Sequence, residues 1–425
     1  MNSINYSYFH FMKNKAVQLN MIFSITKKSI KYLFNPLINV FKKRRKREDI
    51  SKNVFRRNYK KTVLISYLRE SFNGIISKRH TNIKECYTAG EIFDELGYIV
   101  DVVDYNNFSS IIKYENYDVI YGMGEALEKA FYNDVDKRIL TIFYATGCSP
   151  YYSNKVTMNR VLDHYLDNGK LIPASSRLVS NQWTGAYTLS DAVIVLGNSF
   201  VKNTYYQYKG RPLLYNLPAF FYRTTERDIV KQKNWERART NILWFGSSGL
   251  IHKGLDLVIE SVLAFEDIVL HICGASPNEV QFYSEYEEYL CRPNTKIINH
   301  GFVHLDSEEF NNVLVECGFV ILPSISEGGS PSILTVIGNG GCIPLIPASA
   351  GLDLDGLEIG ISEVTTEGVK SALEVALSKS EYELKLISEE IYNLVNHKYT
   401  YENYKGNLRN TILKILSIKE KNNEL

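Results

Sequence analysis

The chain has 425 residues, 45% of them hydrophobic, with 49 Lys/Arg against 47 Asp/Glu. That length and apolar content exclude a disordered chain and suffice for two cores of ordinary size, so one or two globular domains are expected, two being the better reading. The net charge of +2 conceals a split: residues 1–60 hold 15 basic residues against Glu48 and Asp49, a net of +13, while residues 61–425 carry −11, which argues against nucleic acid as the partner of the body of the protein.

In the basic tail, Ile30, Leu33, Phe34, Leu37, Ile38 and Phe41 share one helical stripe, Asn35-Pro36 offers a cap and first helical position, and Lys42-Lys-Arg-Arg-Lys-Arg47 follows directly. An apolar stripe beside a basic cluster is the pattern of a helix lying in an anionic leaflet. Residues 1–60 are therefore expected to dock on an anionic membrane surface, the alternative being a disordered basic arm. No clean signal peptide opens the chain, and its longest uncharged run, Gly328 to Leu352, is interrupted by Gly and Pro, so no membrane span is expected. The six cysteines are scattered without a C-x-x-C spacing, which fits a reducing compartment rather than a disulfide framework or zinc site. A cytoplasmic protein, peripheral at the inner face of the membrane, is the expectation.

From residue 61 strand and helix signals alternate. Thr62-Val-Leu-Ile-Ser66 reads as a strand, Asn82 to Leu96 as a helix closed by Gly97, and Ile99-Val-Asp-Val-Val103 as the next strand, which together make a βαβ unit. Further strands are expected at Asp118–Tyr121, Leu140–Tyr144 and Asp191–Leu196. After a charged, Trp-containing linker at 221–240, a second series runs through Asn241–Phe245, a helix at Leu255–Phe265, and strands at Ile268–Ile272 and Phe319–Leu322. The fold expected is α/β: two Rossmann-like doubly wound domains, at 61–220 and 241–390, facing a cleft at the carboxyl ends of their strands. Residues 391–425 continue a helical pattern, Glu381 to Ile418, suited to packing back across both domains.

The segment Ser326-Glu-Gly-Gly-Ser-Pro-Ser-Ile-Leu-Thr-Val-Ile-Gly-Asn-Gly-Gly341 leaves the last of those strands. Ser330 suits an N-cap and Pro331 the first helical position, so a helix is expected from Pro331, ended within about two turns by Gly338, Gly340 and Gly341. Cys342–Ile346 then reads as a buried strand. A helix whose first amides open into a glycine-lined loop can hold an anion, although an ordinary helix start has the same pattern.

The order strand, Phe245-Gly246, Lys253-Gly254, helix, strand, then Leu322-Pro-Ser-Ile-Ser-Glu-Gly-Gly-Ser-Pro-Ser-Ile-Leu334 and the exit to Ile343-Pro344 resembles the donor-binding domain of GT-B glycosyltransferases, in particular the retaining family-four group. Ser66-Tyr67, His80-Thr-Asn82, Gly97–Asp101 and Tyr144-Ala-Thr-Gly147 are similar to the acceptor-side loops of that group, so the resemblance spans most of 61–418. It implies transfer of a sugar from a nucleotide-diphosphate sugar to a surface-glycan or lipid-linked acceptor, with no cofactor beyond that co-substrate and no metal. Glu327 matches the glutamate facing the sugar and Lys253 the lysine on the phosphates. Gly246, Ser247, Gly328, Gly329, Ser330, Ser332 and Thr335 fall on the donor side, and His80, Tyr144, Thr146 and Gly147 on the acceptor side. The chain departs from the family pattern at Ser247, where an Arg is frequent, in the seven-residue step from Gly246 to Lys253, and at Thr335, where the second glutamate of E-x7-E would stand. Cys148-Ser149 occupy positions where relatives often carry a histidine. A catalytically inactive GT-B module that binds glycan or nucleotide sugar is the alternative.

Three other patterns read as structural. Asp134-Val-Asp136 and Asp353-Leu-Asp355 have the spacing of a metal-binding pair but no histidine joins them. Tyr121-Gly-Met-Gly124 lacks the third glycine of a dinucleotide fingerprint, and His271, inside an apolar strand, reads as a core residue.

Overall fold

Runs that are apolar at every position, such as Val63-Leu-Ile65 and Ala192-Val-Ile-Val195, can be buried only in a sheet covered on both faces. The computed structural model of the protein, which describes residues 50–423 other than 75–79, 108–110, 133–138, 208, 226 and 294, places them so. Among these residues one sheet contains β1 (Ile50–Ser51), β2 (Lys61–Tyr67), β3 (Tyr98–Asp104), β4 (Val119–Gly122), β5 (Leu140–Ala145), β6 (Ala192–Leu196) and β7 (Leu213–Leu217), in the order 1-3-2-4-5-6-7. A second contains β8 (Asn241–Phe245), β9 (Val269–Cys273), β10 (Ile297–Gly301), β11 (Phe319–Ile321), β12 (Ile343–Ile346) and β13 (Ile359–Gly360), in the order 10-9-8-11-12-13. All pairings are parallel except β1 with β3. The first sheet thus reaches back into the segment read as tail: Ile50 and Ser51 pair antiparallel with Val103 and Val102. The apolar stripe and basic cluster before them lie outside the described residues, as does Asp134-Val-Asp136.

Helices α1 (Thr81–Glu95) and α2 (Pro150–Asn168) belong to the first domain, α3 (Leu255–Val262) and α4 (Pro331–Gly340) to the second. Ile50 onward is one compact unit, and α2 is the main bolt within it. From α2, Thr157 Oγ1 lies 2.7 Å from His252 Nδ1, His164 Nε2 3.4 Å from Tyr286 Oη, and Asn168 donates to Glu260 at 3.3 Å. Arg160 forms a buried ion pair with Asp256 of α3, although Arg160 Nε and Asp256 Oδ1 have no partner of their own. A pair of this kind fixes a docking geometry more than it stabilises.

The C-terminal pattern divides into α5 (Glu381–Lys398) and α6 (Tyr401–Asn423), and each packs on a different domain. In α5, Ser388 Oγ donates to Gly341 O at 2.6 Å and Asn396 Nδ2 to Gly338 O at 3.0 Å. In α6, Tyr401 and Tyr404 hydroxyls lie 3.0 Å from Thr88 Oγ1 and from Tyr144 Oη on the first domain. Among the described residues no helix is long and apolar enough to cross a membrane.

Candidate functional site

The second domain brings its loops to the carboxyl ends of β8 and β11, and there Glu327 and Lys253 meet. Lys253 Nζ lies 2.6 Å from Glu327 Oε1, with the two side chains 7% and 11% exposed. Ser324 Oγ donates to the same oxygen at 2.8 Å. Burial alone would raise the Glu327 pKa, but the charges of Lys253 and Arg177 hold it at about 2. Glu327 is therefore a fixed carboxylate that accepts hydrogen bonds and cannot serve as a general acid. Burial works against the Lys253 ammonium, and Glu327 supports it.

His252 anchors this pair. It is buried, its Nε2 lies 2.8 Å from the Ser326 carbonyl and its Nδ1 2.7 Å from Thr157 Oγ1. A carbonyl can only accept, so Nε2 carries the proton and Nδ1 accepts from the threonine, a neutral tautomer consistent with a pKa lowered by burial to about 4.

Helix α4 starts at Pro331 as the sequence predicts, but two local expectations are corrected. Ser330 adopts φ 35°, makes no side-chain cap, and donates its Oγ to Ala350 O at 2.8 Å, because the loop is tied to 349–350 and not to the helix end. Gly338 and Gly340 do not end the helix, which runs to a left-handed Gly341. A Cβ at Gly338 would lie 2.2 Å from the Phe221 ring, so this glycine makes room for packing. Thr335, the position of the missing second glutamate, returns its hydroxyl to Pro331 O at 2.7 Å. Ser247 is exposed and Ser332 half-buried, and neither side chain has a hydrogen-bond partner among the described residues. Gly246 donates its amide to Cys273 O at 3.2 Å, while the amides of Gly249 and Leu250, further along that loop, are taken by the buried Glu279 carboxylate at 2.5 and 3.0 Å.

Across the cleft, Gly328 and Gly329 sit against the first domain. A Cβ on Gly328 would lie 2.0 Å from Thr146 O and 3.0 Å from Gly147 Cα, so the loops after β5 and β11 touch through backbone. A cavity of about 370 Å³ opens beside this contact, lined from the first domain by Ala145, Thr146, Gly147, Cys148, Arg177 and Trp183 and from the second by His252 and Glu327. Tyr144 is not part of it. Strand alternation turns Phe143 and Ala145 to the cavity and Tyr144 to the opposite face, where its hydroxyl donates to buried Glu85 at 3.0 Å. His80 stands exposed at the start of α1, its Nδ1 accepting from Asn82 N at 3.3 Å. Surrounding protein, then the charges of Arg177 and Lys253, lower its pKa. Cys148 lines the cavity with a thiol whose pKa burial raises to about 11, so it is no base, and Ser149 caps α2.

Three contributors escaped the sequence reading: Arg177, His252 and Ser324. His252 directly precedes Lys253 and could have been found by asking what orients that lysine; nothing around Arg177 in the sequence marks it. Asp353 accepts from Asn198 at 2.9 Å and Asp355 from Lys398 at 3.0 Å, so that pair diverges, and no group of metal-ligating side chains occurs among the described residues.

No protein-family model and no curated protein sequence matches the chain, but solved structures share its fold. Anabaena Alr3699/HepE in complex with UDP-glucose superposes with a TM-score of 0.53 at 11% identity, over 83% of this chain and 99% of that one. The same protein with UDP and glucose gives 0.51 at 11%, over 84% and 99%. The catalytic domain of Starch Synthase IV from Arabidopsis thaliana, bound to ADP and acarbose, gives 0.54 at 10%, over 85% and 99%. Two facing parallel sheets of this kind are the GT-B fold.

Proposed function

We propose that the protein is a glycosyltransferase that moves a sugar from a nucleotide-diphosphate sugar to a surface-glycan or lipid-linked acceptor, with retention of anomeric configuration. The observation that carries this reading is the ionised Glu327 held by Lys253 and Ser324 on the lining of the interdomain cavity. In transfer the bond from the anomeric carbon to the diphosphate breaks, the bond to an acceptor hydroxyl oxygen forms, and the acceptor proton passes to the departing diphosphate. A fixed carboxylate beside the sugar favours the positive charge that develops on the ring, and Lys253 the negative charge on the leaving diphosphate. The nucleotides named with the structures of like fold, UDP, UDP-glucose and ADP, support a nucleotide-sugar donor. The basic segment before Ile50 would tether the protein to an anionic membrane surface.

A panel of nucleotide sugars, read first by thermal stabilisation and then by transfer or hydrolysis of the labelled donor, tests the proposal. Stabilisation with turnover supports it, and absence of both for every donor overturns it. Thr335, uncharged and bonded back to its own helix, favours a second reading as a binding module without activity. Stabilisation without turnover is its signature.

A further inference from the structure

We infer that Arg177, contributed by the first domain, is a ligand of the donor diphosphate in the site on the second. The inference rests on the donor reading above and begins from a charge count. Lys253 is paired with Glu327, so together they present no net charge to a diphosphate. Ser247 is uncharged, and the neighbouring amides of Gly249 and Leu250 already hold the carboxylate of Glu279. His252 is neutral for the hydrogen-bonding reason given above. Beyond backbone amides at Ser247, Ser248 and the start of α4, these groups of the second domain present no net positive charge to a diphosphate, and a cation facing them across the cleft would supply it.

Arg177 stands where that charge is required. Its Nη1 lies 3.8 Å from Glu327 Oε2, its side chain is 48% exposed, and it lines the cavity with Glu327 and Gly328. No other partner for its guanidinium occurs among the described residues, so most of its N–H donors are open to a ligand. Its aliphatic stem lies on Gly249: a Cβ there would meet Arg177 Cγ at 2.4 Å and Cδ at 2.5 Å, so the glycine admits the arginine. The loop is held on both sides. Asn154 of α2 receives Val179 N at 2.7 Å and donates to Val179 O at 2.8 Å, and His252 N reaches Ser175 O at 3.3 Å. The guanidinium is thereby placed before any ligand arrives, and its planar fork suits two phosphate oxygens at once. Because it comes from the first domain, a diphosphate bound by Lys253 and Arg177 joins the two domains at the cleft.

Inorganic pyrophosphate, which needs no knowledge of the base or sugar, is the probe, with UDP, GDP and ADP alongside. Titrations of the full-length protein by calorimetry compare wild type with Arg177→Ala, Arg177→Lys and Lys253→Ala, each checked for an unchanged unliganded melting temperature. Arg177→Ala should weaken pyrophosphate binding about tenfold or more, the usual scale for losing hydrogen bonds to a charged group. Arg177→Lys should recover part of the loss, as charge without the fork. Wild-type affinity in Arg177→Ala, with loss in Lys253→Ala, overturns the role of Arg177 and leaves the donor site standing. Absence of binding of all four probes to the wild type overturns both.

Discussion

The donor-side loop of the second domain and the acceptor-side wall of the first meet at one cavity, yet they are built in opposite ways. In Ser324–Pro331 the groups that act are local: Ser324 and Glu327 lie three residues apart and share one oxygen contact, and Lys253 completes an ion pair. On the first-domain side Cys148 comes from the loop after β5, and Arg177 and Trp183 from one stretch after α2 that Asn154 ties to that helix through Val179. A carboxylate set among glycines ahead of a Ser-Pro leaves a motif in the sequence, and a wall of scattered arginine, aromatic and thiol side chains leaves none.

The largest expected effect tests the charged side of that contrast. Glu327→Gln keeps the shape and removes the charge, and turnover with the best donor should fall about a hundredfold or more, as for loss of one electrostatic contact in a site. Wild-type turnover in the purified, folded variant would remove the site assignment.

A pH experiment tests the bolt between the two regions. An unfolded histidine titrates near 6.5, and His252 in the folded protein at about 4, so the unfolded chain takes up the proton first. The contribution is complete above about pH 6.5 and is lost as pH falls toward 4, reaching at most about 3 kcal/mol. Urea unfolding at pH 7 and pH 4.5 should show a smaller decline for His252→Gln than for wild type. His271, also at about 4, is present in both proteins and cancels in the difference. Equal declines would mean that His252 does not stay neutral in the fold.

A smaller effect is expected where the regions touch. Gly328→Ala sets a methyl 2.0 Å from the Thr146 carbonyl, and the two loops must part. Stability should fall by about 1–3 kcal/mol, the range of overpacking, with a matching loss of transfer, while Ser417→Ala, at an exposed hydroxyl of α6, leaves both within error. Equal melting temperatures for the two variants would show that the loops do not meet in solution.

The smallest effect separates core from cleft on the first domain. Tyr144→Phe removes a hydroxyl shared by Glu85 and Tyr404 and should cost about 1 kcal/mol of stability. The acceptor KM should not move, and a raised KM would return Tyr144 to the cleft.

Read alone, the sequence determined the two series of strands and the helix start at Pro331, because apolar periodicity and Pro at a first helical position act over a few residues; it singles out Lys253 and Glu327 only through family resemblance, without the ion pair that joins them across 74 positions. It placed Tyr144 at the cleft because a run of apolar residues does not reveal which face of a strand looks inward; that depends on register against β4 and β6. It could not show that Ser330 serves Ala350 instead of its own helix, that Glu279 occupies the amides of Gly249 and Leu250, or that Arg177 reaches over Gly249 to Glu327. Each of these joins residues at least 20 positions apart: the first two are made by the packing of loops within the second domain, and only the third by the closing of the two domains on each other.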